Sequence, residues 1–502
     1  MTPKKDAELC AKYPMLYAQR SRGMRDTCMC WGFEIGDGWT PIIERLSEKL
    51  ERINRSLPKD EPKIEASQVK EKFGCYDAQT EVLTRKGWKY FGSLSKDDEI
   101  ASLKDGKFLE YEKPTDIIAY EYTGKMYKLR TRGVDLLVTP NHVLYVAKGT
   151  YWNGRYSPPK RVEYNLELTT YEKYYKKNKR FKKDAIWAGH NQEAFVLLGS
   201  EKRWSRGPWG QTGKKWEEMC IPMPQWLVFL GWYIAEGCVS KNEIAIACNN
   251  TDGGVEKADV RKAIMDIGFD PSSSMEERPA MVYKIYERRL CQWLKTNCGA
   301  WSKEKRVPEF VKDLTPKLIG IFLRTLFRGD GYKSKTSWIL TTISKQLADD
   351  VQELILKAGQ ASTCYPARKR YEKKVMKDGS FIQGKHPAHE INWMKNGYHN
   401  TMNKGLAKHS KEELVDHDGM VYCVTVPAHV IYVRRNGIPV WCGNSLRFYT
   451  SRCHDEADRL ITEAERESAK TCEECGKPGR QNSQGWITTL CTKCRRAREK
   501  KR

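Results

Sequence analysis

The amino-acid sequence predicts a multidomain α+β protein. Two β-rich stretches enclose a mixed helical and strand middle, and small α-rich segments lie outside them. Three observations carry this. Residues 75–200 and 401–444 hold short apolar runs broken by Gly, Asp and Asn, the texture of strands and tight turns. Residues 225–360 hold apolar patterns of helical period, with strand-like runs such as NEIAIAC between them. Residues 40–57 and 455–470 read as amphipathic helices beyond the β-rich ends.

The first of these helices is signalled by Thr40 as a cap and Pro41 in the first turn. Ile43, Leu46, Leu50, Ile53 and Leu57 then recur at three- and four-residue steps until LPKDEPK stops the pattern. From Cys75 the segments CYDAQTEVLTRKGWKYFGSL and KMYKLRTRGVDLLVTPNHVLYVAKG read as strands. Near the far end, Asn436-Gly437 between two apolar runs predicts a two-residue hairpin turn. The middle contains an internal repeat. LVFLGWYIAEG ends at Gly237 and GIFLRTLFRGDG ends at Gly331. Alignment on the acids sets Glu236 on Asp330, Gly231 on Thr325 and Ala235 on Gly329. Small residues four apart on an apolar helix let two backbones approach closely, leaving an acid at each C-terminal end.

Composition narrows the function classes. The formal net charge is +24 over 502 residues, which favours polyanionic partners, nucleic acid above all. Basic residues interleave with aromatics in YYKKNKRFKK. No run of eighteen apolar residues exists, so no membrane span is expected. The start, MTPKKDAELCAKYP, lacks an apolar signal stretch, so the expected location is intracellular and cytoplasmic. Seventeen cysteines in such a protein point to metal binding and thiol chemistry rather than a disulfide framework.

Cys75 opens the first β-rich segment, Thr139-Pro140-Asn141-His142 follows an apolar strand, and the last β-rich segment ends in Gly443-Asn444 followed by Ser445. This ordered set resembles an intein, a Hint-fold protein-splicing element, over residues 75–444. The resemblance implies that Cys75 attacks the Gly74 carbonyl to form a thioester, with Thr139 orienting the scissile peptide and His142 protonating the departing nitrogen. Ser445 then takes the acyl group, Asn444 cyclises and Gly74 is joined to Ser445. The sequence departs from the family at two places. Gly443 stands where His is usual, which throws the assistance of Asn444 onto His429. Cys423 stands where many inteins carry Asp. A protein that cleaves without ligating, and a zinc-containing DNA-binding protein with an inert insert, are the rival readings.

The repeated helices resemble the two LAGLIDADG motifs of homing endonucleases. The resemblance implies that Glu236 and Asp330 bind Mg2+ and that one chain, acting as a monomer, cuts both strands of a double-stranded DNA target. Lys305, in Glu304-Lys305-Arg306-Val307-Pro308, is the candidate for charge stabilisation, against the alternative of a solvated charge run. The expected division is residues 1–74 as the N-terminal host segment and 75–200 as the first part of the splicing domain. The endonuclease follows at 201–400, the rest of the splicing domain at 401–444 and the C-terminal host segment at 445–502.

In the last segment, Cys472, Cys475, Cys491 and Cys494 form two CxxC pairs with fifteen residues between them, a spacing that suits structural Zn2+. Cys28, Cys30, Cys453 and His454 are candidates for a second site, with core or free thiols as the alternative. The joined host ends, VKEKFG and SLRFYTS, read as one uninterrupted strand. The host part, with its basic tail CRRAREKKR, resembles small zinc-bearing phage proteins.

Overall fold

The computed structural model describes residues 1–22, 29, 32–58, 60–70, 75–114, 116–140, 142–148, 164–207, 210–249, 255–275, 280–334, 337–367, 374–375, 381–382, 386–394, 397–401, 411–428, 430–443, 448–450, 454–468, 470–481 and 489–499. Gly74, His429, Asn444 and Ser445 lie outside the described residues, as do Cys28, Cys30 and Cys453.

The two flanks fold together. Ala66–Lys70 pairs parallel with Phe33–Glu34 and antiparallel with Phe448–Thr450. Helix Thr40–Ser56 turns its buried stripe of Ile42, Ile43, Leu46, Leu50 and Ile53 onto a core that also takes Leu9, Leu16, Ala457 and Ile461. Pro41 sits in the first turn, where its missing N–H is no loss. Thr40 is not the cap. It is already helical, its hydroxyl donates to the Asp37 carbonyl at 2.8 Å, and Trp39 occupies the cap position. In the unspliced chain Val69 lies opposite Phe448 and Ala66 opposite Thr450, so the two host ends are antiparallel neighbours, while residues 71–74 and 444–447, on either side of the expected junction, lie outside the described residues. Pairing lets each satisfy the other's backbone groups, which a lone extended strand cannot do.

Residues from both ends of the 75–443 stretch interleave in a β body. The long strands Asp116–Arg130 and Lys411–Thr425 pair along their whole length and close a barrel with Tyr76–Asp77 and Asp135–Val138. A second sheet runs Ile438–Gly443, Val430–Arg435, Glu81–Thr84, Ile100–Lys104, Phe108–Glu112, with Gly87–Tyr90 on Glu81–Thr84. Asn436 and Gly437, at φ 49° and 76°, make the two-residue turn between Arg435 and Ile438. Val82, Leu136, Ile431, Val433 and Val440 fill the body.

The middle body is a twofold helix–strand–strand–helix–strand–strand unit. The first copy is Met223–Glu236, Gly237–Ser240, Glu243–Asn249, Val255–Asp266, Ser272–Met275 and Ala280–Ile285. The second is Pro316–Gly329, Gly331–Lys333, Ser337–Thr342, Lys345–Lys357, Ala361–Pro366 and His389–Met394, with a short hairpin before its last strand. Both sheets have the strand order first, second, fourth, third. The middle therefore holds more strand than its sequence shows, because pieces such as SSSM lack β-branched alternation. Two pieces lie across the expected borders. Phe195 and Leu197 pack into the middle body's core, and Tyr398–Asn400 pairs with Lys179–Lys182 of the β body. No helix among the described residues is long and apolar enough to cross a membrane.

Candidate functional sites

Cys75 is buried at the entrance to strand Tyr76–Asp77, which pairs through Tyr76 with Val138. The next residue, Thr139, holds both backbone groups of Cys75. Its Oγ1 accepts from the Cys75 N–H at 2.8 Å, and its own N–H donates to the Cys75 carbonyl at 3.0 Å. A turn closed by the His142 N–H on the Thr139 carbonyl brings the imidazole back over the strand. The imidazole meets the Tyr76 ring edge to face, 4.4 Å between centroids at 69°, and its Nε2 lies 3.3 Å from Cys442 Sγ. The Tyr76 hydroxyl donates to the Gly443 carbonyl at 2.8 Å. Burial pushes the Tyr76 phenol well up and the Cys442 thiol up to about 12, so both stay protonated near neutrality.

Gly443 is sterically required here. A Cβ on it would lie 2.7 Å from the Val143 carbonyl oxygen and 2.8 Å from Leu168 Cδ2. Cys423, on Lys411–Thr425, is buried in the same apolar cluster as Cys75, with Met126 and Val421. Tyr120 lies beside this cluster, its phenol pushed up by burial and then by the Cys75 thiol. Behind the centre, Arg435 bonds Asp77 at 3.1 Å and Asp135 at 3.0 Å. Its neighbour Arg434, fully buried, binds Glu81 through two nitrogens at 2.8 and 2.6 Å. It also binds Asp349 at 2.6 Å and Gln352 at 2.8 Å on helix Lys345–Lys357 of the middle body. Sequence reasoning passed over Tyr76, Cys442 and Arg434, because each acts through a partner far along the chain.

In the middle body, helices Met223–Glu236 and Pro316–Gly329 meet at the aligned small residues. A Cβ on Gly231 would fall 2.7 Å from Thr325 Cβ, and one on Gly329 would fall 2.5 Å from Ala235 Cβ. The crossing sets Glu236, the last residue of one helix, and Asp330, the cap of the other, at the same end of the pair, with Glu236 Cγ 3.7 Å from the Gly329 Cβ position. Lys305 is buried beside them. Its Nζ donates to the Tyr233 carbonyl at 2.9 Å and lies 3.6 Å from the Tyr233 ring centroid. Burial lowers its pKa to about 8, against the opposing charge of Asp330 among others. The solvated alternative for Lys305 is thereby corrected. Two carboxylates at one helix end fit a hard divalent cation.

Cys472, Cys475, Cys491 and Cys494 bring their sulfurs within 4.8 Å of one another, with Cys475 and Cys491 3.6 Å apart. Four sulfurs at 2.3 Å around tetrahedral zinc are about 3.8 Å apart, so the set fits that ion. The knuckle is seated on the turn Gly36–Trp39: Gly38 N–H donates to the Glu473 carbonyl at 2.7 Å and the Trp39 indole to Thr471 at 2.6 Å. His454 Nδ1 accepts from the Ala457 N–H at 3.4 Å and so serves the start of helix Asp455–Ser468.

In the basic, aromatic-rich run Lys176 and Lys177 are exposed, and the other four basic residues are buried. Lys179 is buried against Glu412 at 2.6 Å, Lys182 pairs with Asp184 at 2.6 Å, Lys183 donates to the Gly133 carbonyl at 2.8 Å, and Arg180 packs 3.6 Å from the Tyr164 ring centroid. Those charges are consumed within the β body.

Comparison with known proteins agrees with part of this. A family model described as a LAGLIDADG-like domain matches residues 317–391. The chain is 27% identical over 419 residues to the DNA-directed RNA polymerase subunit beta C-terminal section of Stigeoclonium helveticum, covering 75% of this chain and 37% of that protein. It is 28% identical over 308 residues to the ATP-dependent Clp protease proteolytic subunit of Chlamydomonas moewusii, covering 58% and 28%. The chain thus spans about a third of the length of the curated relatives it matches. Among solved structures, I-DmoI in complex with DNA and Ca is similar at TM-score 0.25 and 10% identity, covering 34% of this chain and 83% of that one. A splice-inactive class 3 split intein is similar at TM-score 0.14 and 18% identity, covering 19% and 71%. The family match falls on the second of the two repeated units in the middle body.

Proposed function

We propose that residues 75–444 are a self-splicing intein that joins Gly74 to Ser445, and that its middle body is a Mg2+-dependent, site-specific endonuclease for double-stranded DNA. The observation that carries this is the closure of both ends of the stretch on one buried centre, through Tyr76 and Gly443, while the flanks share a separate core. An insert that leaves its host intact needs that arrangement. The relatives add support. A polymerase subunit and a protease subunit have no activity in common, so what they share with this chain is separate from their stated activities.

The Cys75 thiol attacks the Gly74 carbonyl, and the bond from that carbon to the Cys75 nitrogen breaks. Thr139 Oγ1 holds this leaving nitrogen by its N–H at 2.8 Å, and the proton it gains comes from the thiol by way of His142. The Ser445 hydroxyl attacks the thioester and returns the thiol to Cys75. The Asn444 side-chain nitrogen attacks its own main-chain carbonyl, closing an imide and freeing the Ser445 amine, which takes the acyl group from oxygen to nitrogen. In the endonuclease, Mg2+ bound by Glu236 and Asp330 would supply Lewis acidity at the phosphate. Lys305 contributes a fixed, poorly solvated positive charge beside the acids. Zn2+ held by Cys472, Cys475, Cys491 and Cys494 of the host flank would serve structure, since four thiolates would leave no open position.

Tryptic digestion tests splicing directly. The peptide Phe73-Gly74-Ser445-Leu446-Arg447 exists only if the two host ends are ligated. Its presence supports splicing. Cleaved flanks without it favour the cleavage-only alternative. Strand scission of a mixed-sequence duplex library, dependent on Mg2+ and abolished in Asp330→Asn, tests the nuclease.

A further inference from the structure

Helix Lys345–Lys357 belongs to the middle body, yet it also lies against one hairpin of the β body, strands Val430–Arg435 and Ile438–Gly443. Leu356 shares a buried cluster with Val430, Tyr432 and Trp441, residues from both strands of that hairpin. Glu353 accepts from the Tyr111 hydroxyl at 3.1 Å and from Lys357 at 2.6 Å, which ties the helix to strand Phe108–Glu112 of the same sheet.

At the turn of the hairpin the grip is polar. Gln352 Nε2 donates to the Gly437 carbonyl at 3.1 Å, and the Cys364 N–H, on strand Ala361–Pro366, donates to the same oxygen at 2.8 Å. Gly437 lies so close that a Cβ on it would fall 2.2 Å from the Cys364 carbonyl oxygen. Gln352 and Asp349 also accept from Arg434 Nη1, while Glu81 takes the other two guanidinium nitrogens and Cζ lies 4.1 Å from the Trp88 ring centroid. A buried guanidinium shared in this way has one orientation, because losing a partner leaves charge unpaired away from water.

The hairpin is paired without a break from Arg435 opposite Ile438 to Val430 opposite Gly443. The middle body holds its turn, and from its other end the chain runs directly into Asn444. Cys75 has separate support, through Thr139 just after strand Asp135–Val138.

We infer that helix Lys345–Lys357 is a clamp for the C-terminal splice junction, with Asp349 and Gln352 as positioning residues that set the hairpin for Asn444 cyclisation through Arg434 and Gly437. The inference rests on the intein reading.

The test separates the two ends of the reaction in the full chain. An Asn444→Ala background reports the thioester, as release of residues 1–74 by hydroxylamine. A Cys75→Ala background reports cyclisation, as release of residues 445–502. Gln352→Leu is expected to slow the second about tenfold or more and leave the first unchanged, since misplaced reacting groups lose rate steeply. Asp349→Asn, which keeps the shape, is expected to do the same and is read alone should Gln352→Leu not fold. Equal slowing of both steps means that the contact only supports the fold, and it overturns the clamp. So does an unchanged rate of cyclisation, which leaves the intein reading standing. A parent that forms the thioester but never releases at Asn444 also overturns the clamp, which then aligns no reaction. A parent that does neither overturns the intein reading and the clamp together.

Discussion

The Tyr76 hydroxyl donates to the Gly443 carbonyl at 2.8 Å across 367 residues of chain. It ties the residue after the candidate nucleophile to the residue before the candidate cyclising Asn444. Tyr76→Phe removes the donor and leaves a buried carbonyl short of its partner, a loss of about 1–3 kcal/mol. The expected outcome is C-terminal cleavage slowed about tenfold or more while thioester formation at Cys75 persists. Hydroxylamine trapping of the thioester, followed by mass analysis of the fragments, checks both.

Gly443 stands where inteins, which residues 75–444 resemble, usually have His, and the structure gives a physical reason for glycine at this position. With the Val143 carbonyl oxygen 2.7 Å from where a Cβ would sit, strand Ile438–Gly443 can lie against Val143–Lys148 only with glycine at its end. Gly443→His is therefore expected to reduce processing, not restore it. A faster reaction in that variant would show that the close approach is dispensable.

Lys183 provides a pH dependence. Its amino group is fully buried, and burial lowers its pKa from 10.5 to about 7. Between these values the unfolded chain binds the extra proton, so this group makes stability rise with pH from about 7 to about 10.5. Below that window the cost of the buried cation is felt in full. His399 nearby is pushed down to about 3, by burial and then by the Lys183 charge, and titrates outside the window. In the unspliced variant, thermal midpoints at pH 7 and pH 9 should differ by more than they do after Lys183→Met.

The four-cysteine knuckle predicts one zinc per chain by metal analysis. Because Trp39 bonds the Thr471 carbonyl, removal of the metal by a strong chelator should change Trp39 fluorescence and loosen the flank core. Cys491→Ser should give the same change without chelator. Splicing at the separate β-body centre should survive both treatments.

What could be read from sequence was set by how far apart the interacting residues lie. The two repeated helices were legible because each carries its own signal, small residues and a terminal acid, and the structure packs Gly231 on Thr325 and Gly329 on Ala235 as the alignment paired them. The four cysteines were legible by spacing. Lys179 was not, since a lysine in a basic run reads as solvated until Glu412, 233 residues away, is known to face it. Arg434 was equally silent, because its acids Glu81 and Asp349 belong to different bodies. The antiparallel pairing of the host ends in the unspliced chain was hidden for another reason: extended residues look alike whatever strand they pair with.

The most direct test of the account is intact mass of the protein expressed in a bacterial host, beside a Cys75→Ala, Asn444→Ala variant. The account predicts a species of residues 75–444 and a second species joining 1–74 to 445–502 from the parent, and only the full-length chain from the variant. A parent that stays whole, or that yields fragments without the joined product, would contradict self-splicing.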